Sequence, residues 1–138
     1  MVPRAGTALA GRILISAIFL MSGIAKLTDL SGTVGHMNGA GIPHAEVLAI
    51  IAGIAEICGG LAILLGFMGR LGAIGLVVFM IPTTILFHGF WRFEGAEAKT
   101  QMVNFMKNLA IIGGLLMVAA YGPGKYSIDQ KVRDPLAP

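Results

Sequence analysis

Four apolar runs, at residues 9–27, 47–66, 69–88 and 102–121, occupy most of this 138-residue chain. Each is close to the ~20 residues that an α-helix, rising ~1.5 Å per residue, needs to cross ~30 Å of hydrocarbon. In lipid every backbone N–H and C=O must be satisfied within its own segment, so such runs fold as helices. Composition agrees, with 56% of residues hydrophobic and 12% charged, where soluble domains run roughly 45–50% and about 25%. Mean hydropathy is +0.83. The expected fold is all-α: a polytopic membrane protein, a four-transmembrane-helix bundle forming a single membrane domain over residues 1–138, with a polar tail from 122 to 138. The first run, flanked by Arg4 and Arg12, has the outline of a signal peptide. No small-residue cleavage site follows it and three further runs do, so it is read as a retained first helix.

Glu56 lies in the middle of the second run. A carboxylate at that depth costs several kcal/mol unless it faces protein, water or a counter-charge, so it marks a working site or a paired structural ion. At 100° per residue Ala49, Ala52, Gly53, Gly59 and Gly60 share its side of the helix, and Ile50, Ile54, Ile57, Leu61, Leu64 and Leu65 take the other. Small residues admit a neighbouring helix and large aliphatics suit lipid, so the wheel turns Glu56 into the bundle. The fourth run presents Asn104, Lys107 and Asn108 on one face, and the first carries Arg12, Ser16, Ser22, Gly23 and Lys26 along one stripe. With His88 these residues define a polar interior, and the candidate pocket is Lys26, Glu56, His88, Asn104, Lys107 and Asn108. Depth counted along the runs predicts Lys107 as the partner of Glu56, with Lys26 nearer the rim and free to snorkel.

The connections are short. Residues 67–68 join the second and third runs, which makes them an antiparallel hairpin. Residues 28–45 are glycine-rich, end in Gly41-Ile42-Pro43, and have the makings of a short interfacial helix around Asp29, Leu30, Val34 and Met37. Pro82 breaks the hydrogen-bond ladder of the third run, with Thr83 and Thr84 at hand to satisfy freed backbone. His88-Gly89-Phe90-Trp91-Arg92-Phe93 reads as an interfacial aromatic belt. The tail after Gly122-Pro123-Gly124 is expected to be partly ordered at best.

Arg4, Arg12, Arg70, Lys125, Lys131 and Arg133 fall on one side of such a bundle, and Lys26, Arg92, Lys99 and Lys107 on the other. That bias predicts both termini in the cytoplasm. The ten basic residues form no run, which fits lipid headgroups and topology rather than nucleic acid. His36, His44 and His88 have no metal-ligand spacing, so no metal site is assigned. Cys58, the one cysteine, is expected to be a small buried apolar residue with no partner for dithiol chemistry. No phosphate loop, nucleotide fingerprint or nucleophilic triad is present.

The ordered set Gly11-Arg12, Ser22-Gly23-Ile24-Ala25-Lys26-Leu27, Gly41-Ile42-Pro43, Glu56 with Gly59-Gly60, Gly66 and Arg70 resembles the DoxX family of small four-helix bacterial membrane proteins. His88-Gly89-Phe90-Trp91 and the stretch from Asn104 through Lys107-Asn108 to Gly113-Gly114 are similar to a common subgroup. The resemblance implies a multi-pass protein of the bacterial inner (cytoplasmic) membrane. Relatives include the membrane subunit of a quinone-linked oxidoreductase, a component of an oxidative-stress complex and, more distantly, secretory cargo receptors. It therefore implies an accessory, non-catalytic or weakly catalytic subunit of a redox-linked membrane complex. Its partners are the bilayer and other membrane subunits, and a quinone is the one cofactor candidate. The absence of paired cysteines speaks against autonomous electron transfer. Two alternatives stand beside it: a purely structural scaffold subunit of a larger complex, and a small solute or proton transporter. The few spans and the lack of an inverted repeat count against the last.

Overall fold

A computed structural model describes residues 3–134, which form six helices and no strand. Four helices are long and apolar enough to cross a membrane: α1 (Arg4–Thr28), α3 (Ala45–Leu65), α4 (Gly69–His88) and α5 (Gly95–Tyr121). Between the first two lies α2 (Leu30–Gly39), the short helix expected of the first connection. Its N-terminus is capped by Asp29, whose carboxylate accepts from the Gly32 amide at 3.0 Å.

The tightest contact in the bundle joins α1 to α3. A Cβ on Gly23 would sit 2.7 Å from the Gly53 carbonyl oxygen, and one on Gly53 would sit 2.7 Å from Leu27, so the two backbones meet where neither carries a side chain. The face of α3 that looks inward is Ala45, Ala49, Gly53, Glu56, Gly60 and Ile63. This is the small-residue side that the helical wheel assigns. Without a hydrophobic force between helices in lipid, such close approach supplies the packing energy.

The α3–α4 hairpin turns on Gly66 and Met68, both in the left-handed region with φ of +63° and +50°. Helix α5 packs chiefly on α4, with α1 a minor neighbour. A core of Phe19, Ile63, Ala73, Leu76, Met80 and Leu115 fills the bundle at the end near this hairpin. At the opposite end Met37 of α2 packs on Ala45 and Ala49, with Ile42 and Phe87 around it.

Three details depart from the sequence reading. Helix α5 begins at Gly95, seven residues before the apolar run, because the stretch from 95 to 101 is polar yet made of good helix formers. Cys58 is exposed on the outward face of α3 rather than buried, in keeping with its place among the large aliphatics. The tail carries a short helix that the sequence did not suggest: Ser127 caps α6 (Ile128–Arg133) by accepting from the Gln130 amide at 3.2 Å. The residues beyond 134 lie outside the described ones.

Candidate functional site

Lys26 and Glu56 meet. The Lys26 ammonium donates to both oxygens of Glu56, at 2.9 and 3.2 Å, and to the Ser22 hydroxyl at 2.6 Å. Ser22 in turn donates to Glu56 Oε1 at 3.2 Å, which closes a three-membered ring of charge-assisted bonds. Ser22 and Lys26 stand one turn apart on α1, and the glycine contact at Gly23 and Gly53 holds that turn against Glu56. The Glu56 side chain is 6% exposed and that of Lys26 is 26% exposed, so the carboxylate is enclosed while the amine keeps an opening. Among the described residues this is the one ion pair.

The expected partner, Lys107, is elsewhere. It is exposed on α5, which lies against α4 and not beside α3. Charge and depth along single helices gave no information about which helices touch. The glycine stripes on α1 and α3 did carry it, since only two helices with small residues at matching heights can bring Ser22, Lys26 and Glu56 within reach.

A cavity of about 470 Å³ opens beside the pair, between α1, α2, α3, α4 and α5. Its polar lining is Ser22, Lys26, Thr33, His36, Glu56, Thr83, His88 and Asn108, and the remaining wall is aliphatic and aromatic, including Ile18, Phe19, Met80 and Phe87. Four of the six sequence candidates, Lys26, Glu56, His88 and Asn108, therefore line one space. Asn104 and Lys107 are not among its lining residues. Asn108 donates to the Thr84 hydroxyl at 3.0 Å, fixing α5 to α4. Thr83 donates to the Phe79 carbonyl at 2.8 Å, one residue along from the Val78 carbonyl that Pro82 leaves free. His88 Nδ1 lies 2.8 Å from Gln101 Oε1, which ties the end of α4 to the start of α5. Over the mouth, the His36 ring stacks on Phe87 with centroids 5.1 Å apart.

A second polar centre lies at the hairpin end, and sequence reasoning passed over it. Arg12 is buried, 3% exposed, and donates to the carbonyls of Leu64, at 2.9 Å, and Pro123. Arg70 donates to Ala119 and Ala120 at the end of α5; at the opposite end of the bundle Arg92 donates to Ile85 and Leu86 at the end of α4. Each of these three arginines thus satisfies at least one carbonyl that a terminating helix leaves without a partner, and Arg12 adds the Pro123 carbonyl of the loop after α5. Asp129 does the converse, accepting from the Met68 and Gly69 amides at 2.8 Å each, at the start of α4. For Arg12 the sequence signal was present: an arginine two or more turns from any acidic residue, in an apolar run, needs carbonyl oxygens.

As a chemical environment the cavity is an apolar slot with a fixed carboxylate, an ammonium and a ring nitrogen along its wall. It suits binding and orientation of an amphipathic molecule.

Comparison with known proteins agrees with this architecture. The DoxX family model matches residues 7–89. The chain is 34% identical over 123 residues to inner membrane protein YphA of Escherichia coli, covering 89% of this chain and 88% of that protein. It is 40% identical over 122 residues to inner membrane protein YqjF of the same organism, covering 88% of each. A membrane protein of Mycobacterium tuberculosis, Rv3486, is 30% identical over 136 residues, covering 88% of this chain and 78% of its own length. No solved structure matches. The match spans α1, α2 and α3 and all of α4, and so contains the Lys26–Glu56 pair and most of the cavity wall; the chain belongs to the DoxX family.

Proposed function

We propose that this protein is an accessory subunit of a redox-linked complex in a bacterial inner membrane, and that its cavity receives the headgroup of a lipid-soluble quinone. One observation carries the reading. A cavity of about 470 Å³, largely apolar and lined by helices of a membrane bundle, has Lys26 and Glu56 in its wall. A quinone needs an apolar slot for its ring and donors for its carbonyl oxygens. The Asn108 amide, with one N–H on Thr84 and the other free among the described residues, is such a donor, Lys26 becomes one by releasing a bond to Glu56 or Ser22, and His88 and Thr83 stand on the same wall. These residues fit the group as binding and orienting elements, and any redox chemistry belongs to the quinone and the partner subunits. The fold works here as one membrane domain with both termini in the cytoplasm, an orientation supported by the six-to-four distribution of Lys and Arg. A cysteine at the exposed Lys131 should resist a membrane-impermeant maleimide in intact cells and react after lysis; labelling before lysis would reverse the orientation.

The test of binding is thermal unfolding of the full chain in detergent with and without a short-tailed quinone. The reading expects a saturable rise in melting temperature for the wild type and little or none for Lys26→Gln. An equal rise in both, or none in either, removes the quinone.

A scaffold role has its own support in Lys107, an exposed cation on the apolar outer face of α5 beside exposed Met102, Val103 and Met106. Such a residue pairs with headgroups by snorkelling or with a carboxylate of another subunit. Loss of co-purifying membrane proteins in Lys107→Gln, with quinone binding intact, would favour the scaffold.

A further inference from the structure

The tail end of the bundle carries a cleft that the proposed function does not use. Its volume is about 560 Å³, and it is lined by Arg70, Leu71, Tyr121, Lys125, Gln130 and Arg133, among others. Three cations face one carboxylate, Asp129, and both oxygens of that carboxylate are already taken by the Met68 and Gly69 amides. Lys125 and Arg133 are exposed and, among the described residues, make no side-chain hydrogen bond and no ion pair. The wall is built rather than accidental. Asp129 also donates its own amide to the Gly66 carbonyl at 2.9 Å, and Ser127 donates to the Gly124 carbonyl at 2.6 Å, so the tail is folded back onto the α3–α4 turn. Arg70 is held by the α5 carbonyls.

The rim is apolar. Phe67, Met68, Leu71 and Tyr121 are all exposed, at the ends of helices that span the bilayer. A cationic cleft whose lip is aliphatic and aromatic at a membrane boundary matches an anionic phospholipid: phosphate against Arg70, Lys125 and Arg133, acyl chains along Leu71 and Tyr121. A free phosphate would use the cations and leave the apolar lip without purpose. We infer that this cleft binds the headgroup of an anionic phospholipid and that the folded tail exists to form its wall.

The experiment is native mass spectrometry of the full chain in detergent, titrated with phosphatidylglycerol or with phosphatidylcholine of the same acyl chains. The expected result is one phosphatidylglycerol bound per chain, about a hundredfold tighter than phosphatidylcholine. In the double variant Lys125→Gln with Arg133→Gln that preference should fall roughly 25-fold, to about fivefold, since each cation near a headgroup contributes about fivefold and Arg70 alone remains. Lys99→Gln with Lys107→Gln removes the same charge at the other end of the molecule and should leave the preference intact. Wild-type affinity should also weaken as salt rises from roughly 50 to 500 mM, a readout that needs no variant. Equal affinity for the two lipids, an equal loss in both double variants, or displacement by millimolar inorganic phosphate without any preference for phosphatidylglycerol would each overturn the inference.

Discussion

Removing Lys26 should harm the fold more than removing the charge of Glu56, although the two residues share one ion pair. In Lys26→Met the Glu56 carboxylate stays enclosed, 6% exposed at the middle of α3, with the Ser22 hydroxyl as its remaining donor. Breaking a buried pair from one side costs ~3–5 kcal/mol because the partner is left as an uncompensated charge. In Glu56→Gln the stranded group is Lys26, 26% exposed, two residues from the end of α1 and on a flexible stem that can turn toward water. Its ammonium keeps Ser22, and the new amide oxygen still accepts, so the loss should be about 1–2 kcal/mol, that of weakened hydrogen bonds. The double variant Lys26→Met with Glu56→Gln should be less damaged than Lys26→Met alone, with a coupling energy of ~1–3 kcal/mol. Equilibrium unfolding of each protein by SDS in mixed micelles measures all three. Simple additivity of the single effects would refute the pairing on which the site is built, and an equal loss in the two single variants would refute the argument from exposure.

The α1–α3 contact predicts that Gly23→Ala loses ~1–3 kcal/mol by overpacking, since its Cβ would meet the Gly53 carbonyl at 2.7 Å, whereas Gly75→Ala, with nothing within 4 Å, is neutral or slightly stabilising in the same SDS titration. Asp129→Ala should cost about 1–2 kcal/mol by uncapping α4 and should speed tryptic cleavage after Lys125 and Lys131, which limited proteolysis reads directly. Cys58→Ala should change stability by no more than ~0.5 kcal/mol, because the thiol faces outward.

Much of this protein is legible in its residues because hydrophobic length and helix geometry are local properties. The spans, the α3–α4 hairpin, the short helix after α1 and the inward face of Glu56 all follow from counting along single segments. Which helices touch is not local. Depth alone set Lys107 against Glu56, yet the matched glycines at 23 and 53 bring Lys26 there instead, and Lys107 is exposed on α5, which packs chiefly on α4. The contacts of the tail escaped for a related reason. Asp129 is an ordinary exposed acid in sequence, and its role appears only when the turn of residues 66–69 presents two free amides beside it. Arg12 reads as a topology charge on the polar stripe of the first run, and its partners appear only when Leu64 and Pro123 offer carbonyls across the bundle.

The cavity beside Lys26 and Glu56 is, on the proposed function, a ligand site. Photolabelling with an azido-quinone in native membranes, followed by mass spectrometric mapping, addresses it most directly. Label should concentrate on cavity-wall residues such as Ile18, Met80 and Phe87, should be displaced by unlabelled quinone, and should drop in Lys26→Gln. Label spread evenly over the outward residues Leu14, Met21, Val78 and Met117, and indifferent to competition, would contradict it.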